Sequence, residues 1–237
     1  MSSPSEKLIV AVDVPSAAAA QALISQLGDA AGFYKIGLEL FTAEGPSLVR
    51  DVVAGGRSVF LDLKFHDIPN TVAAAVRSAA RLGVSMITIH SGGGAAMVRA
   101  ACDAAKTESA DLLVLGVTVL TSTREDELTS VGVQGSLSDQ VVRLAKLAVA
   151  SGCGGLVCSP HEAARLRAEF GEEIVLVTPG VRPEGTSPGD QARTATPAQA
   201  IRAGANHIVV GRPITAAPDP AAAARAILQE LSALSCD

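Results

Sequence analysis

The chain has 237 residues and a formal net charge of −5 at neutral pH, and 48% of its residues are hydrophobic. This composition is typical of a globular protein, and the length fits one large α/β barrel or two small domains. The acidic balance, together with the absence of any run of more than two basic residues, argues against nucleic acid as a partner.

The sequence also lacks the usual features of an exported or membrane-inserted chain. No apolar run reaches the roughly 18 residues that a membrane-spanning helix needs. Residues 1–7 do not have the pattern of a signal peptide. The four cysteines form neither a Cys-x-x-Cys pair nor a cluster with histidine at metal-ligand spacing. We therefore expect a cytoplasmic protein with reduced thiols and no metal site.

Short β-branched segments alternate with alanine-rich segments along the chain. Eight segments have the composition of strands, namely 8–12, 33–36, 58–63, 86–89, 112–117, 155–158, 174–177 and 207–210. Helices are predicted at roughly 16–27, 45–54, 70–82, 94–106, 138–151, 160–169, 197–203 and 219–234. Ser16 and Thr196 stand where N-caps are expected, and Pro160 and Pro197 where first helical turns are expected.

Strands that alternate with helices predict a parallel sheet. Eight such repeats in a chain of this length fit a closed (β/α)8 barrel, the TIM-barrel fold, better than an open sheet. No linker or change of composition divides the chain, so we expect residues 1–237 to form a single domain. Two connections are unusually long, at about 120–137 and 179–195, and loops of this length in compact domains are often functional.

In such a barrel the active site lies at the carboxyl ends of the strands. The third predicted strand carries the strongest signal, because alternation places Asp62 and Lys64 on one face. Asp67 follows at the entry to the next helix. Two carboxylates beside one ammonium favour its charged form, which suits a proton donor rather than a Schiff-base lysine. The spacing is also compatible with a buried ion pair that only holds the end of a strand.

Further polar residues lie at other strand ends. Asp13 and Lys35 belong to the first two strands and could bind a substrate or form an ordinary ion pair. The Gly211 N–H and the Arg212 guanidinium could hold a phosphate, because the region after strands 7 and 8 is the usual phosphate site in these barrels. A turn with a surface arginine is the other interpretation. His90, at the end of strand 4, is the histidine expected near the site.

Segment 61–72 reads Leu-Asp-Leu-Lys-Phe-His-Asp-Ile-Pro-Asn-Thr-Val and closely resembles the signature of the orotidine 5′-phosphate decarboxylase family. Further matches in the expected order are 11–13, 34–37, His90 with its glycines, 115–121, 178–182 and 210–214. The resemblance therefore covers essentially the whole chain. Relatives that act on sugar phosphates share the Asp-x-Lys-x-x-Asp spacing, whereas the continuation Ile-Pro-Asn-Thr is far more specific.

The resemblance implies a carboxy-lyase that converts orotidine 5′-phosphate (OMP) to UMP and CO2 in pyrimidine biosynthesis. Lys64 would protonate C6 of the pyrimidine, and Asp62 would lie beside the substrate carboxylate. Asp13 and Lys35 would bind the ribose hydroxyls, and Lys35 would also belong to the catalytic charged network. No metal or organic cofactor is implied.

The resemblance also implies a homodimer with shared active sites. Asp67, counted among the catalytic groups, and Thr71 would reach into the site of a second subunit. Thr121 and Pro179 would contact the pyrimidine. The residues implied around the phosphate are Arg182, Gln191, Gly211 and Arg212, with Gln191 on the long loop after strand 7.

Two other functions remain open at this point. A related barrel could use Mg²⁺ held by carboxylates to decarboxylate or condense phosphorylated sugars. That would explain Asp62 and Asp67 but not the Ile-Pro-Asn-Thr continuation. Alternatively, a barrel without activity could bind nucleotides as a sensor, although binding alone does not require a proton donor such as Lys64.

Overall fold

The computed structural model describes residues 4–183 and 194–234. Within these residues, eight parallel strands close into a barrel in chain order, and β8 pairs with β1. The strands are β1 Leu8–Ala11, β2 Phe33–Gly37, β3 Ser58–Phe65, β4 Met86–His90, β5 Leu113–Val117, β6 Gly155–Val157, β7 Val175–Thr178 and β8 His207–Val210. The predicted (β/α)8 barrel is confirmed.

Helices surround the barrel in the described part of the chain. They are α1 Pro4–Lys7, α2 Ala17–Leu27, α3 Leu38–Glu44, α4 Pro46–Ala54, α5 Pro69–Ala80, α6 Gly94–Glu108, α7 Glu125–Ser130, α8 Leu137–Ala150, α9 Pro160–Phe170, α10 Pro197–Arg202, α11 Arg212–Thr215 and α12 Pro220–Ala233. None of them is both long and apolar enough to cross a membrane.

The helix boundaries follow the capping residues. The Ser16 hydroxyl accepts a hydrogen bond from the Ala19 N–H at 3.3 Å and begins α2. The Thr196 hydroxyl does the same for the Gln199 N–H at 3.2 Å and begins α10. Both predicted N-caps are confirmed. The satisfied first-turn N–H groups explain why these helices begin where they do.

The interpretation of 120–137 as a continuous loop was incomplete, because the segment contains α7. The Arg124 N–H donates to the Glu127 carboxylate at 2.7 Å, which stabilises the first turn of this short helix. The helix buries no residue, so it lacks the apolar period that would have predicted it. The ends of the other long loop meet where the Arg182 N–H donates to the Ala195 carbonyl at 2.9 Å.

The core has two layers because successive strand residues point to opposite faces. The inner layer lies inside the barrel and is formed by buried apolar residues, namely Ile9, Ala11, Phe33, Phe60, Met86, Leu115, Val177 and Val209. The outer layer packs between strands and helices and includes Leu8, Val10 and Leu61. The inner side chains close the barrel from below and leave its opening at the carboxyl ends of the strands.

Candidate active site

A cavity of about 260 Å³ lies at the carboxyl ends of the strands. Its apolar wall is formed by residues of the barrel interior and its rim, mainly Ala11, Phe60, Val117, Val157, Val177 and Val209. Its charged side chains are Asp13, Lys35, Asp62, Lys64, Arg182 and Arg212. The cavity therefore combines an apolar wall with ionised groups, an arrangement in which electrostatic interactions are stronger than in bulk water.

Four of the charged side chains form an alternating chain. The Lys64 ammonium lies 2.8 Å from Asp62 Oδ1, and the Lys35 ammonium lies 3.9 Å from Asp62 Oδ2 and 3.0 Å from Asp13 Oδ1. The side chains of Asp62 and Lys35 are each only 13% exposed, whereas Lys64 is 35% exposed. Each buried charge thus has an opposite charge beside it, and the two ends of the chain, Lys64 and the 57% exposed Asp13, are accessible.

The backbone at Lys64 departs from regular strand geometry. Its φ of +50° is the only positive φ at a residue other than glycine in the described part of the chain. The pairing of β3 with β4 shifts register between Leu61 and Phe65. A left-handed conformation costs a non-glycine residue about 1–3 kcal/mol, so the surrounding structure must hold it. The resulting bulge turns the Lys64 side chain into the cavity, as bulges beside active sites often do.

Thr88 on β4 supports this geometry and was not identified from the sequence. Its side chain is fully buried. Its hydroxyl accepts from the Lys64 N–H at 2.9 Å and donates to Asp62 Oδ1 at 2.9 Å. A polar residue between the apolar residues Ile87 and Ile89 of β4 was the signal that could have found it.

Gly37 at the end of β2 is a second position that sequence reasoning missed. A Cβ at this residue would lie 2.9 Å from the Lys35 ammonium and 3.4 Å from Asp13 Oδ1. The first distance is too short for a carbon atom beside an ammonium held by two carboxylates. The absence of a side chain here leaves room for the Lys35–Asp13 pair.

Two guanidinium groups also line the cavity. Arg182 follows β7 and Arg212 begins α11 directly after β8. Burial, and then the neighbouring Arg212 guanidinium, lower the pKa of Arg182 below its ordinary value. Gly211 also lines the cavity and adjoins the charged chain, because a Cβ at this residue would lie 3.7 Å from Asp13 Oδ2. Two converging cations with an adjacent backbone segment can bind a phosphate.

The other sequence-predicted residues divide into two groups. Thr121 and Pro179 line the cavity with the residues above. Asp67 and Thr71 are exposed outside its lining, and the Asp67 carboxylate accepts the Ile68 N–H at 2.6 Å. Gln191 lies outside the described residues.

His90 also lies outside the cavity lining but near the charged chain. Its ring centre is 5.5 Å from that of His66. Burial lowers the pKa of His90, and the neighbouring His66 and Lys64 side chains add to this effect. The neutral imidazole is therefore favoured, and His90 adds no cation to the site.

The described residues contain no group of three or more His, Cys, Asp or Glu side chains that could hold a metal ion.

Fold and cavity together define a (β/α)8 barrel with a charged, phosphate-compatible pocket at the carboxyl ends of its strands. A model described as the orotidine 5′-phosphate decarboxylase / HUMPS family matches residues 6–227. The chain belongs to this family, which confirms the resemblance seen in its sequence.

Curated relatives and solved structures agree with this assignment. The chain is 56% identical to an orotidine 5′-phosphate decarboxylase of Anaeromyxobacter dehalogenans over 94% of its length and 97% of that protein's. It is 52% identical to the enzyme of Moorella thermoacetica, covering 95% of this chain and 92% of the other. The crystal structure of the Lactobacillus acidophilus enzyme superposes with a TM-score of 0.87 at 38% identity, covering 95% and 98% of the two chains.

Proposed function

We propose that this chain is an orotidine 5′-phosphate decarboxylase that converts OMP to UMP and CO2. The observation that carries the proposal is the meeting of the Lys64–Asp62 pair and the arginines Arg182 and Arg212 in one cavity. The Lys64 ammonium can stabilise a developing carbanion, and the two arginines can bind a phosphate. Relatives that match nearly the full chain carry this name.

The phosphate is assigned to Arg182, Arg212 and the Gly211 N–H, with Gln191 as a further ligand. Burial, and then the Arg212 charge, lower the pKa of Arg182, and a bound phosphate dianion would compensate both cations. The phosphate is remote from the reacting carbon. Its binding energy can therefore be used to align the pyrimidine at the reacting end of the site.

The pyrimidine lies between the phosphate site and the charged chain, against Thr121 and Pro179. Loss of CO2 breaks the C6–carboxyl bond and leaves the electron pair in the plane of the ring, with little π delocalisation. The Lys64 ammonium stabilises this charge electrostatically and then transfers a proton to C6. The neutral lysine regains a proton from solvent. The apolar floor strengthens these interactions because it keeps water away from the reacting carbon.

Asp62 and Lys35 organise the charge around this step. Asp62 holds the Lys64 ammonium at 2.8 Å and would lie beside the substrate carboxylate, so that departure of CO2 relieves a repulsion between two anions. Lys35 and Asp13 continue the chain towards the ribose hydroxyls. No step of this mechanism uses a metal ion or an organic cofactor.

Decarboxylation is tested by the ultraviolet absorbance of OMP, which changes as the purified protein converts it to UMP. We expect turnover that survives EDTA and exhaustive dialysis. A requirement for stoichiometric Mg²⁺ would favour the sugar-phosphate relatives instead. OMP binding without any turnover would favour a nucleotide sensor.

A homodimer with shared sites is part of the proposal. Leu38 and Ile68, at the carboxyl ends of β2 and β3, are 64% and 67% exposed, an unusual exposure for large apolar side chains. Asp67 and Thr71 lie close to Ile68 in the chain and outside the cavity of their own subunit. A contact through this surface would cover the apolar side chains and carry Asp67 to a partner's cavity.

Mixing two inactive variants tests the shared site. Lys64→Ala removes the proton donor from every site, and Asp67→Ala removes the carboxylate contributed by the second subunit. A dimer of one variant with the other still contains one site in which Lys64 and Asp67 are both intact. Random exchange of subunits should therefore restore about a quarter of the native sites. No recovery after verified exchange would place Asp67 in its own subunit's site.

A cytoplasmic location is also proposed, as the compartment of a pathway that supplies pyrimidine nucleotides. The cysteines within the described residues, Cys102, Cys153 and Cys158, are buried and form no disulfide, which suits a reducing environment. Fractionation of cells that produce the tagged protein tests this location. Recovery with the membrane or the exported fraction would contradict it.

A further inference from the structure

Thr88 joins the two functional residues of β3 through one hydroxyl group. Its oxygen accepts the Lys64 N–H at 2.9 Å and lies 2.9 Å from Asp62 Oδ1, while Asp62 Oδ1 also accepts from the Lys64 ammonium at 2.8 Å. The threonine belongs to the neighbouring strand, 24 residues from Lys64 and 26 from Asp62. The three residues thus form a closed ring of hydrogen bonds across two strands.

The direction of each bond in this ring follows from the groups involved. A backbone N–H can only donate, and an ionised carboxylate can only accept. The single proton of the Thr88 hydroxyl must therefore point to Asp62, while its lone pair faces the Lys64 N–H. Because Thr88 is fully buried, solvent does not offer a substitute for either bond.

The ring forms at the place where β3 departs from regular pairing. Regular parallel pairing would give the Lys64 N–H a backbone carbonyl on β4, but the register shifts between Leu61 and Phe65. The Thr88 hydroxyl receives this N–H instead and thereby holds Lys64 at its φ of +50°. The same hydroxyl fixes the carboxylate that orients the Lys64 ammonium.

We propose that Thr88 is a positioning residue for the decarboxylation, acting through both the backbone of Lys64 and the carboxylate of Asp62. This inference rests on the proposed function. Thr88 does not line the cavity and touches no substrate. Its contribution is to keep the proton donor aligned with the reacting carbon, so its loss should affect the chemical step much more than nucleotide binding.

Thr88→Val tests the proposal because it keeps the shape of the side chain and removes the hydroxyl. We expect kcat to fall about a hundredfold, since a misplacement of about 1 Å in a catalytic group can cost that much. KM and the dissociation constant for UMP should stay within about threefold, because the phosphate site is untouched. Thr88→Ser, which restores the donor and acceptor, should recover most of the lost kcat.

Thr118→Val is the matched control. Thr118, which directly follows β5, is also a buried threonine, but its hydroxyl donates to the Val157 carbonyl at 3.2 Å and does not contact the charged chain. Thr118→Val should lower the melting temperature as much as Thr88→Val does, but its kcat should stay close to the native value. Equal losses of kcat in the two valine variants would show that Thr88 has only a structural role and would overturn the proposal.

Two further outcomes are decisive. If Thr88→Val does not fold, Thr88→Cys keeps a weaker and longer hydrogen-bonding group, and its kcat should fall between those of the serine variant and Lys64→Ala. A folded valine or cysteine variant with native kcat would contradict the proposal. Absence of turnover in the native protein would instead overturn the proposed function, so the two failures are distinguishable.

Discussion

Arg212→Ala is the sharpest test of the phosphate site. Arg212 and Arg182 line the cavity from the ends of β8 and β7, whereas the Lys64–Asp62 pair belongs to β3. A hydrogen bond to a charged group contributes about 1.5–3 kcal/mol. Removing Arg212 also relieves its repulsion of Arg182, which offsets part of the loss.

These two effects set the expected size of the change. Each 1.4 kcal/mol corresponds to about a tenfold change in rate, so kcat/KM for OMP should fall by about tenfold to a hundredfold. Arg212→Lys keeps the charge but not the planar fork of donors, and it should lie between the alanine variant and the native protein.

The assay compares OMP with orotidine, which lacks the phosphate. On orotidine, the native protein and Arg212→Ala should have similar kcat/KM, because the partner of the arginine is absent from this substrate. The comparison separates loss of phosphate binding from damage to the barrel. If both substrates suffer equally, Arg212 supports the structure, and the placement of the phosphate between Arg182 and Arg212 is wrong.

Three further predictions concern the proton donor, the packing beside it and the stability of the barrel. Lys64→Ala should lose nearly all turnover while its circular dichroism and its affinity for UMP persist; near-native turnover in a folded variant would exclude Lys64 as the acid. Gly37→Ala should lower kcat/KM about tenfold, because its Cβ would lie 2.9 Å from the Lys35 ammonium. Gly32→Ala is the control and should be neutral, because its Cβ would meet nothing within 4 Å. Equal effects of the two substitutions would refute this account. Burial lowers the pKa of His207, whose Nδ1 lies 2.8 Å from the Glu6 carbonyl. The folded chain therefore favours the neutral His207 ring. Its contribution to the free energy of unfolding is complete above the pKa of about 6.5 that the ring has in the unfolded chain, and it is lost as pH falls through the lower pKa of the folded chain. Urea unfolding measured at pH 7.5 and 5.5 should show that the free energy of unfolding falls less in His207→Gln than in the native chain. An equal fall in both proteins would contradict the assignment.

Much of the barrel could be predicted because its signals are local. Each of the eight predicted strands is present, with ends displaced by at most two residues. The helices with apolar periods and clear caps were found as well. The short helices α1, α3, α7 and α11 were missed, since helices of four to seven residues present too few turns for a periodic pattern.

The candidate site could be predicted only in part. Strand ends in a (β/α)8 barrel meet at one face, so Asp13, Lys35 and Asp62 were expected to be neighbours. Which oxygen each ammonium contacts depends on strand register and on side-chain burial. The roles of Thr88 and Gly37 follow from those contacts, and neither residue type signals a function by itself.

The sequence by itself determined the alternation of strands and helices, the residues at each strand end, and the pairing of Asp62 with Lys64, because all of these depend on neighbours within a few positions. Only the tertiary structure decided the left-handed backbone of Lys64, the Thr88 hydroxyl that supports it, and the convergence of Arg182 with Arg212. These contacts join residues 24 to 30 positions apart. They exist because closing the barrel sets the register of adjacent strands, and register decides which side chains meet.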